Sequence, residues 1–235
     1  MHFDVAPSYG YGEAESWLGK ELSGRRDEVI LATKFGIVAS PLARWLRPLK
    51  PVVRFLRASR QKPMPPIPLT AEKEFRTDRF HHRIKMTGEG LRISVEKSLR
   101  RLRTDRIDWL FLHEPLSPVA PFSPVLEMAK ELKRQGKIRA WGLAYPYSTE
   151  AIHADYLHHF DALQFNLSPA SPDYEVVKAK RARSANILFS PLRGANPKMN
   201  KQEVLKRLSE DFPQSVILCS MFTPEHIRAN ARALC

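Results

Sequence analysis

An α/β fold built on a parallel sheet is what this sequence predicts, and three observations carry it. Short runs rich in Val, Ile, Leu and Phe alternate with longer stretches whose apolar residues recur at three- and four-residue spacing. Three of those runs deliver a reactive side chain to their ends: Asp4, Lys34 in VILATKFG, and His113 in IDWLFLHEP. Polar groups at the carboxyl ends of strands are where α/β proteins place their chemistry. The length agrees, since 235 residues at 43% hydrophobic can bury one sizeable core. Barrels of this class fold as one domain at about 250 residues.

The first strand is expected at residues 2–6. In FDVAPSYGYGEAESWLG a Pro-Ser turn then presents Tyr9, and Gly10 and Gly12 lead into a helix over 13–23. Ala14, Trp17, Leu18 and Leu22 stand at helical spacing along it. A second strand is predicted at 28–33. Between 37 and 87 the rhythm breaks, with Pro at 41, 48, 51, 63, 65, 66 and 68, so no long helix runs through the insertion. Arg44, Arg47, Arg54, Arg57 and Arg60 nonetheless alternate with Trp45, Leu49, Val53 and Leu56, which predicts short basic amphipathic turns. Segments of this length without structure are commonly lids or disordered.

Regularity returns at Gly88. Leu91, Val95, Leu99 and Leu102 line one face of a helix that carries Arg100, Arg101 and Arg103 on the other. A strand at 107–112 and a helix at 123–135 follow, the helix stopped by Gly136 in the C′ position. Further strands are expected at 138–143, 161–165, 186–190 and 215–219. Helices are expected near 149–157, 173–183, 201–210 and 224–233, the last opened by Thr223 as N-cap and Pro224 at the first position.

Charge is unevenly placed. The chain carries +13, and residues 41–106 hold 18 Lys/Arg against 6 Asp/Glu while the remainder holds 20 against 19. The basic segment has three open readings: a solvated lid over a substrate mouth, local steering of an anionic substrate, or contact of 44–60 with an anionic membrane surface through Trp45, Phe55 and the prolines. Nucleic acid is not expected, because no recognised motif accompanies the charge. The chain has no run of eighteen apolar residues, and it begins directly with a strand, so neither a transmembrane helix nor a signal peptide is expected. Cys219 and Cys235 make no disulfide framework, which points to a reducing, cytoplasmic setting. His81, His82, His158 and His159 read as solvated pairs without a third ligand, so no metal site is expected.

The spacing Asp-x-x-x-x-Tyr-Gly-x-Gly-x-x-Glu-x-x-Leu-Gly from Asp4 to Gly19, then Thr-Lys-Phe-Gly at 33–36, then Ser-Leu-x-x-Leu, Ile-Asp and Leu-His, resembles the aldo-keto reductase superfamily. The likeness runs from Phe3 to about Ala231, broken by the insertion. It implies a TIM (β/α)8-type barrel, of which about seven βα units are visible in this chain. It also implies an oxidoreductase that transfers a hydride between NADP(H), with NAD(H) as the alternative, and an aldehyde, ketone or sugar lactol. The insertion after Lys34 is similar to that of the sugar- and pyridoxal-dehydrogenase-like branch, which runs oxidatively on lactols. The oligomeric state is left open.

The family's catalytic tetrad falls on Asp4, Tyr9, Lys34 and His113. Each type suits its task. A free Tyr has a pKa near ~10 and is a poor acid at neutral pH. A cation about 4 Å away, at an effective dielectric of about 20, stabilises the phenolate by up to ~4 kcal/mol, so the Tyr9 pKa is expected to fall by at most ~3 units. Lys34 supplies that cation, Asp4 holds it, and His113 orients and polarises the carbonyl.

The resemblance places cofactor contacts at Gln164, Phe189, Ser190, Leu192, Ser220 and Asn230. Relatives have a Gly-x-Ser-Asn whose Ser and Asn grip the nicotinamide carboxamide, and here Ala144 and Tyr145 replace both. Phe189 replaces a stacking Tyr. Relatives offer Lys-Ser or Gly-Ser plus an Arg and an Asn to the adenosine 2′-phosphate and adenine. Here Ser220 and Asn230 remain but Cys219 and His226 stand in place of the cations, so weak binding or a shifted preference is expected. The count is seven strands rather than eight, because only Met1 and His2 precede Phe3. A late start codon, a degenerate relative, or another element closing the gap would each account for it. The rival to an enzyme is a relative that keeps the scaffold and binds a ligand or partner without turnover.

Overall fold

The computed structural model describes residues 1–46, 48, 79–195, 200–220 and 223–234. The Arg/apolar repeat expected at 44–60 lies outside them except for Arg44, Trp45, Leu46 and Pro48, as does Cys235. Seven strands form one sheet in the order β1 (His2–Asp4), β2 (Ile30–Phe35), β5 (Ile107–His113), β6 (Ile138–Tyr145), β7 (Ala162–Asn166), β8 (Asn186–Phe189) and β9 (Val216–Leu218). The strands stand within one or two residues of their predicted places. A two-stranded antiparallel ribbon, β3 (Ile37–Ala39) with β4 (His81–Arg83), was not predicted. It pairs the two ends of the insertion, residues too far apart in sequence for any local pattern to reveal.

The helices are α1 (Ala14–Glu21), α2 (Pro41–Trp45), α3 (Gly88–Leu102), α4 (Ser123–Arg134), α5 (Tyr174–Arg181), α6 (Lys201–Asp211) and α7 (Pro224–Leu234). The described residues cluster into two compact units. The first holds β1 to β5, α1 to α4, β6 as far as Gly142, and 153–161; the second holds 143–152 and everything described from Ala162 on.

In the first unit β1 pairs in parallel with β2, Asp4 opposite Ala32, and β2 with β5, Lys34 opposite Phe111. Strand β5 is buried along almost its whole length, which is why IDWLFLH reads as a continuous apolar run rather than an alternation. Its one buried carboxylate, Asp108, accepts the Leu31 backbone N–H at 2.8 Å and Arg26 Nη2 at 2.7 Å, fixing β5 against β2. The predicted face of α3 is buried, with Leu91 and Val95 at 0% exposure. Helix α1 differs from its predicted pattern. Its buried residues are Glu15 and Gly19, whereas Trp17 is 60% exposed and lies beside Lys20, whose ammonium sits 5.2 Å from its ring.

Residues Tyr147–His159 form a 3₁₀ run where an α-helix was predicted at 149–157. His153 and Tyr156 are its buried residues, and their spacing of three matches the 3₁₀ repeat rather than 3.6. Gly136 closes α4 as predicted: at φ +71° its N–H reaches the Lys133 carbonyl, and the Lys137 N–H reaches Leu132. In the second unit β7 pairs with β8 and β8 with β9, all in parallel. Thr223 caps α7, its hydroxyl accepting the His226 N–H at 3.3 Å. Among the described residues no helix is long and apolar enough to cross a membrane.

Candidate active site

Strand β1 ends on Asp4, and the chain turns at once, the Tyr9 N–H donating to the Ala6 carbonyl at 3.0 Å. Gly10, Tyr11 and Gly12 then take positive φ in succession, a bend that two glycines make possible and that Tyr11 shares at φ +60°. Tyr11 packs edge-on against Phe80 at 5.6 Å, just before β4. Lys34 stands near the end of β2 and His113 ends β5. The two neighbouring strands therefore deliver an amine and an imidazole, while the β1–α1 turn brings the phenol over them.

The four side chains meet. Lys34 Nζ lies 2.5 Å from Asp4 Oδ2 and 3.2 Å from the Tyr9 hydroxyl, and the Tyr9 and His113 rings are 6.0 Å apart, edge to face. Lys34 is 3% exposed and Asp4 is largely buried, while Tyr9 is 40% exposed with its hydroxyl turned to the buried amine. Burial opposes the Lys34 ammonium, but Asp4 and Tyr9 together hold its pKa above the usual lysine value. Asp4 Oδ1 and His113 Nδ1 are buried without hydrogen-bond partners.

Tyr9 departs from expectation. Its pKa is raised, not lowered: burial pushes it up, and Lys34 offsets only part of that while Asp4 adds to it. Lys34 is shared with a carboxylate 2.5 Å away, so its field at the phenol is weaker than that of an isolated cation. His113 is held well below the usual histidine range, first by burial and then by Lys34, Arg83 and His81. It is a neutral imidazole. Two groups beside it carry no sequence signal. Glu114 takes φ +46°, and Arg83 of the ribbon donates through Nη1 to its carbonyl at 2.6 Å. Arg83 and Glu114 stand 31 residues apart, so only the folded chain joins them.

In the second unit, Gln164 is 1% exposed on β7 and its Oε1 has no hydrogen-bond partner. Phe189 ends the adjacent strand β8, half-buried, opposite Asn166. Ser190 follows, exposed and at φ +56°, its carbonyl accepting the Arg193 N–H at 3.0 Å, and Leu192 is half-buried in the same turn. Ser220 is exposed after β9, and Asn230 is half-buried on α7; among the described residues no hydrogen bond links either to Gln164 or Phe189. At the end of β6 Ala144 is apolar and buried. The Tyr145 hydroxyl is committed to Glu150 Oε2 at 2.6 Å, and Arg181 shares that carboxylate oxygen at 2.9 Å.

The sequence matches the aldo/keto reductase family over residues 1–192, and the chain belongs to that family. Aldo-keto reductase YhdN of Bacillus subtilis is 33% identical over 143 residues, covering 60% of this chain and 31% of the relative. D-threo-aldose 1-dehydrogenase of a Pseudomonas species is 33% identical over 150 residues, covering 60% of this chain and 39% of that protein. The chain thus spans 31% and 39% of the length of these two curated relatives. Among solved structures, an aldo-keto reductase from Bacillus halodurans in its holo form superposes with a TM-score of 0.68 at 20% identity, covering 99% of this chain and 76% of that one. An aldo-keto reductase from Klebsiella pneumoniae in complex with NADPH gives 0.65 at 20%, covering 100% and 74%. The fold is that of these (β/α)8-type barrels, with seven of the strands among the described residues.

Proposed function

We propose that this chain is the catalytic part of an NADP(H)-dependent oxidoreductase that interconverts a small aldehyde, ketone or sugar lactol with its reduced or oxidised partner. The observation that carries the reading is Lys34 Nζ set between Asp4 and the Tyr9 hydroxyl, at 2.5 and 3.2 Å. The nicotinamide cofactor supplies the hydride in reduction and takes it up in oxidation. In reduction, Tyr9 holds its proton at neutral pH, as its raised pKa requires, and gives it to the developing alkoxide. Lys34 then stabilises the phenolate left behind, and Asp4 keeps Lys34 charged and in place. Neutral His113 donates one hydrogen bond to the carbonyl oxygen without competing for the proton.

The residues of the second unit suit a nicotinamide in part. The buried, unpartnered Gln164 Oε1 is an acceptor suited to a carboxamide N–H, and Phe189 offers a ring face for stacking. Ser190, Leu192, Ser220 and Asn230 are the further contacts proposed, and the setting proposed is cytoplasmic. The second reading, a scaffold without turnover, is favoured by Ala144 and Tyr145, one apolar and the other already bonded to Glu150.

Titration with NADPH and NADH, followed by cofactor fluorescence, together with turnover of a panel of aldehydes and sugar lactols, separates the two. The enzyme reading expects saturable binding and turnover that Tyr9→Phe reduces about a hundredfold or more, with cofactor affinity unchanged. Binding without turnover would support the scaffold.

A further inference from the structure

Glu15 is a carboxylate at 1% exposure on the first turn of α1, and the proton chemistry above makes no use of it. Both of its oxygens are taken. Oε1 accepts from the Thr33 hydroxyl at 2.7 Å, and Oε2 accepts from Arg101 Nε on α3 at 2.6 Å. Thr33 is fully buried and directly precedes Lys34. Side chains alternate along a strand, so Thr33 faces the helix layer while Lys34 faces Asp4 and Tyr9. Glu15 also stands three residues beyond the Tyr9–Gly12 turn. It therefore joins the turn that carries the phenol to the strand that carries the amine.

We infer that Glu15 is a positioning residue which, through Thr33 and Arg101, sets the separation of Tyr9 from Lys34. This rests on the carbonyl-reductase reading of the tetrad. Three features argue for positioning rather than plain stability. Glu15 is buried but Arg101 is 33% exposed, and an ion pair of this kind is weak stabilisation that apolar side chains of similar size often replace at little cost; what the pair adds is direction. The Tyr9–Lys34 contact at 3.2 Å lies near the outer limit of a hydrogen bond, so a displacement of about half an ångström breaks it. The framework also has no slack: a Cβ at Gly19, one turn along α1, would meet the Leu102 carbonyl carbon at 2.5 Å and the Arg101 oxygen at 2.6 Å. Helix α3 thus presses backbone to backbone against α1 beside the Arg101 anchor.

The test uses the full chain with tyrosines labelled at Cζ, the Tyr9 resonance being assigned by its loss in Tyr9→Phe. Thr33→Val removes the hydroxyl at nearly constant volume, and Thr33→Ser keeps it. The double variant Glu15→Leu/Arg101→Leu removes both charges together. With Lys34 released, Tyr9 in Thr33→Val is expected to titrate about half a unit or more above the wild type. Its kcat is expected to fall about tenfold, with KM changed less than about twofold, and Thr33→Ser is expected to restore both. The double variant should show the same Tyr9 shift while still unfolding cooperatively; if it does not fold, Thr33→Val decides. Unchanged Tyr9 titration and kcat in Thr33→Val would overturn the inference and leave Glu15 a structural residue. Should the wild type turn over no carbonyl, the functional reading falls, and the Tyr9 titration still decides on Glu15 by itself.

Discussion

Lys34 is the residue that Asp4 and Tyr9 both contact, and burial of the Tyr9 phenol, which outweighs the pull of Lys34, sets the pH behaviour expected of the site. Tyr9 keeps its proton to higher pH than a free tyrosine, so a phenol is present throughout the neutral range. Reduction needs that phenol and oxidation needs the phenolate. Carbonyl reduction is therefore expected to stay flat from pH 6 to 9, with alcohol oxidation rising through the same range without levelling off. Steady-state rates in both directions over those buffers check this, and an oxidation rate that levels off near pH 7 would sink it. His113 governs stability instead. Its folded pKa lies well below the value of about 6.5 for an exposed histidine, as burial also lowers His2 and His153. Below about pH 6.5 the unfolded chain therefore binds protons that the folded chain refuses, and stability falls as pH drops. Each such histidine contributes a slope of at most about 1.4 kcal/mol per pH unit. Urea unfolding at pH 7.5 and 5.5 is expected to show the loss, and His113→Gln to reduce it. Lys34 shifts in the opposite sense, so its contribution is lost only at strongly alkaline pH, outside this window.

Among the elements, α1 and α3 show how a local preference is reversed by packing. A helical Gly→Ala change ordinarily stabilises by about 0.5–1 kcal/mol. At Gly19 the added methyl would meet backbone atoms of Arg101 and Leu102 at 2.5–2.6 Å, and backbone cannot give way cheaply. Gly19→Ala is expected to destabilise by roughly 1–3 kcal/mol. Chemical denaturation measures it, and a stabilised variant would show that the two helices can separate. Gly136 makes a different case. Nothing lies within 4 Å of a Cβ there, but its φ of +71° places a side chain in the left-handed region. Gly136→Ala should cost about 1–2 kcal/mol with no clash to relieve.

For the whole molecule, the uneven charge and the ribbon at the base of the insertion belong together. Ser40 holds both ends: its N–H donates to the Phe80 carbonyl at 2.9 Å and its hydroxyl to the Arg79 carbonyl at 2.7 Å. After α2 the chain at Leu46 is about 10 Å from Ser40, at 1.5 Å per helical residue. A flexible linker of about eight Gly/Ser residues spans roughly 15 Å. Residues 47–78 hold 8 Lys/Arg and 3 Asp/Glu, so replacing them with such a linker lowers the net charge from +13 to +8. The shortened chain is expected to unfold cooperatively at a urea midpoint close to that of the full chain. Loss of cooperative unfolding would show that 47–78 contributes to the core.

By itself the sequence determined the succession of the seven sheet strands and of all the helices except α2, the four side chains that meet at the strand ends, and the capping of α4 and α7. Those features depend on local spacing: apolar period, a glycine at C′, a Thr-Pro start, an acid or amine at a strand end. What only the tertiary structure decided are relations between distant residues. The Arg83–Glu114 contact, the β3–β4 ribbon and the Glu15–Thr33–Arg101 network each join positions separated by at least eighteen residues. The Tyr9 pKa belongs with them. From the sequence, a nearby lysine predicts a lowered value. In the folded chain the same lysine is buried and shared with Asp4, and desolvation of the phenol outweighs its attraction.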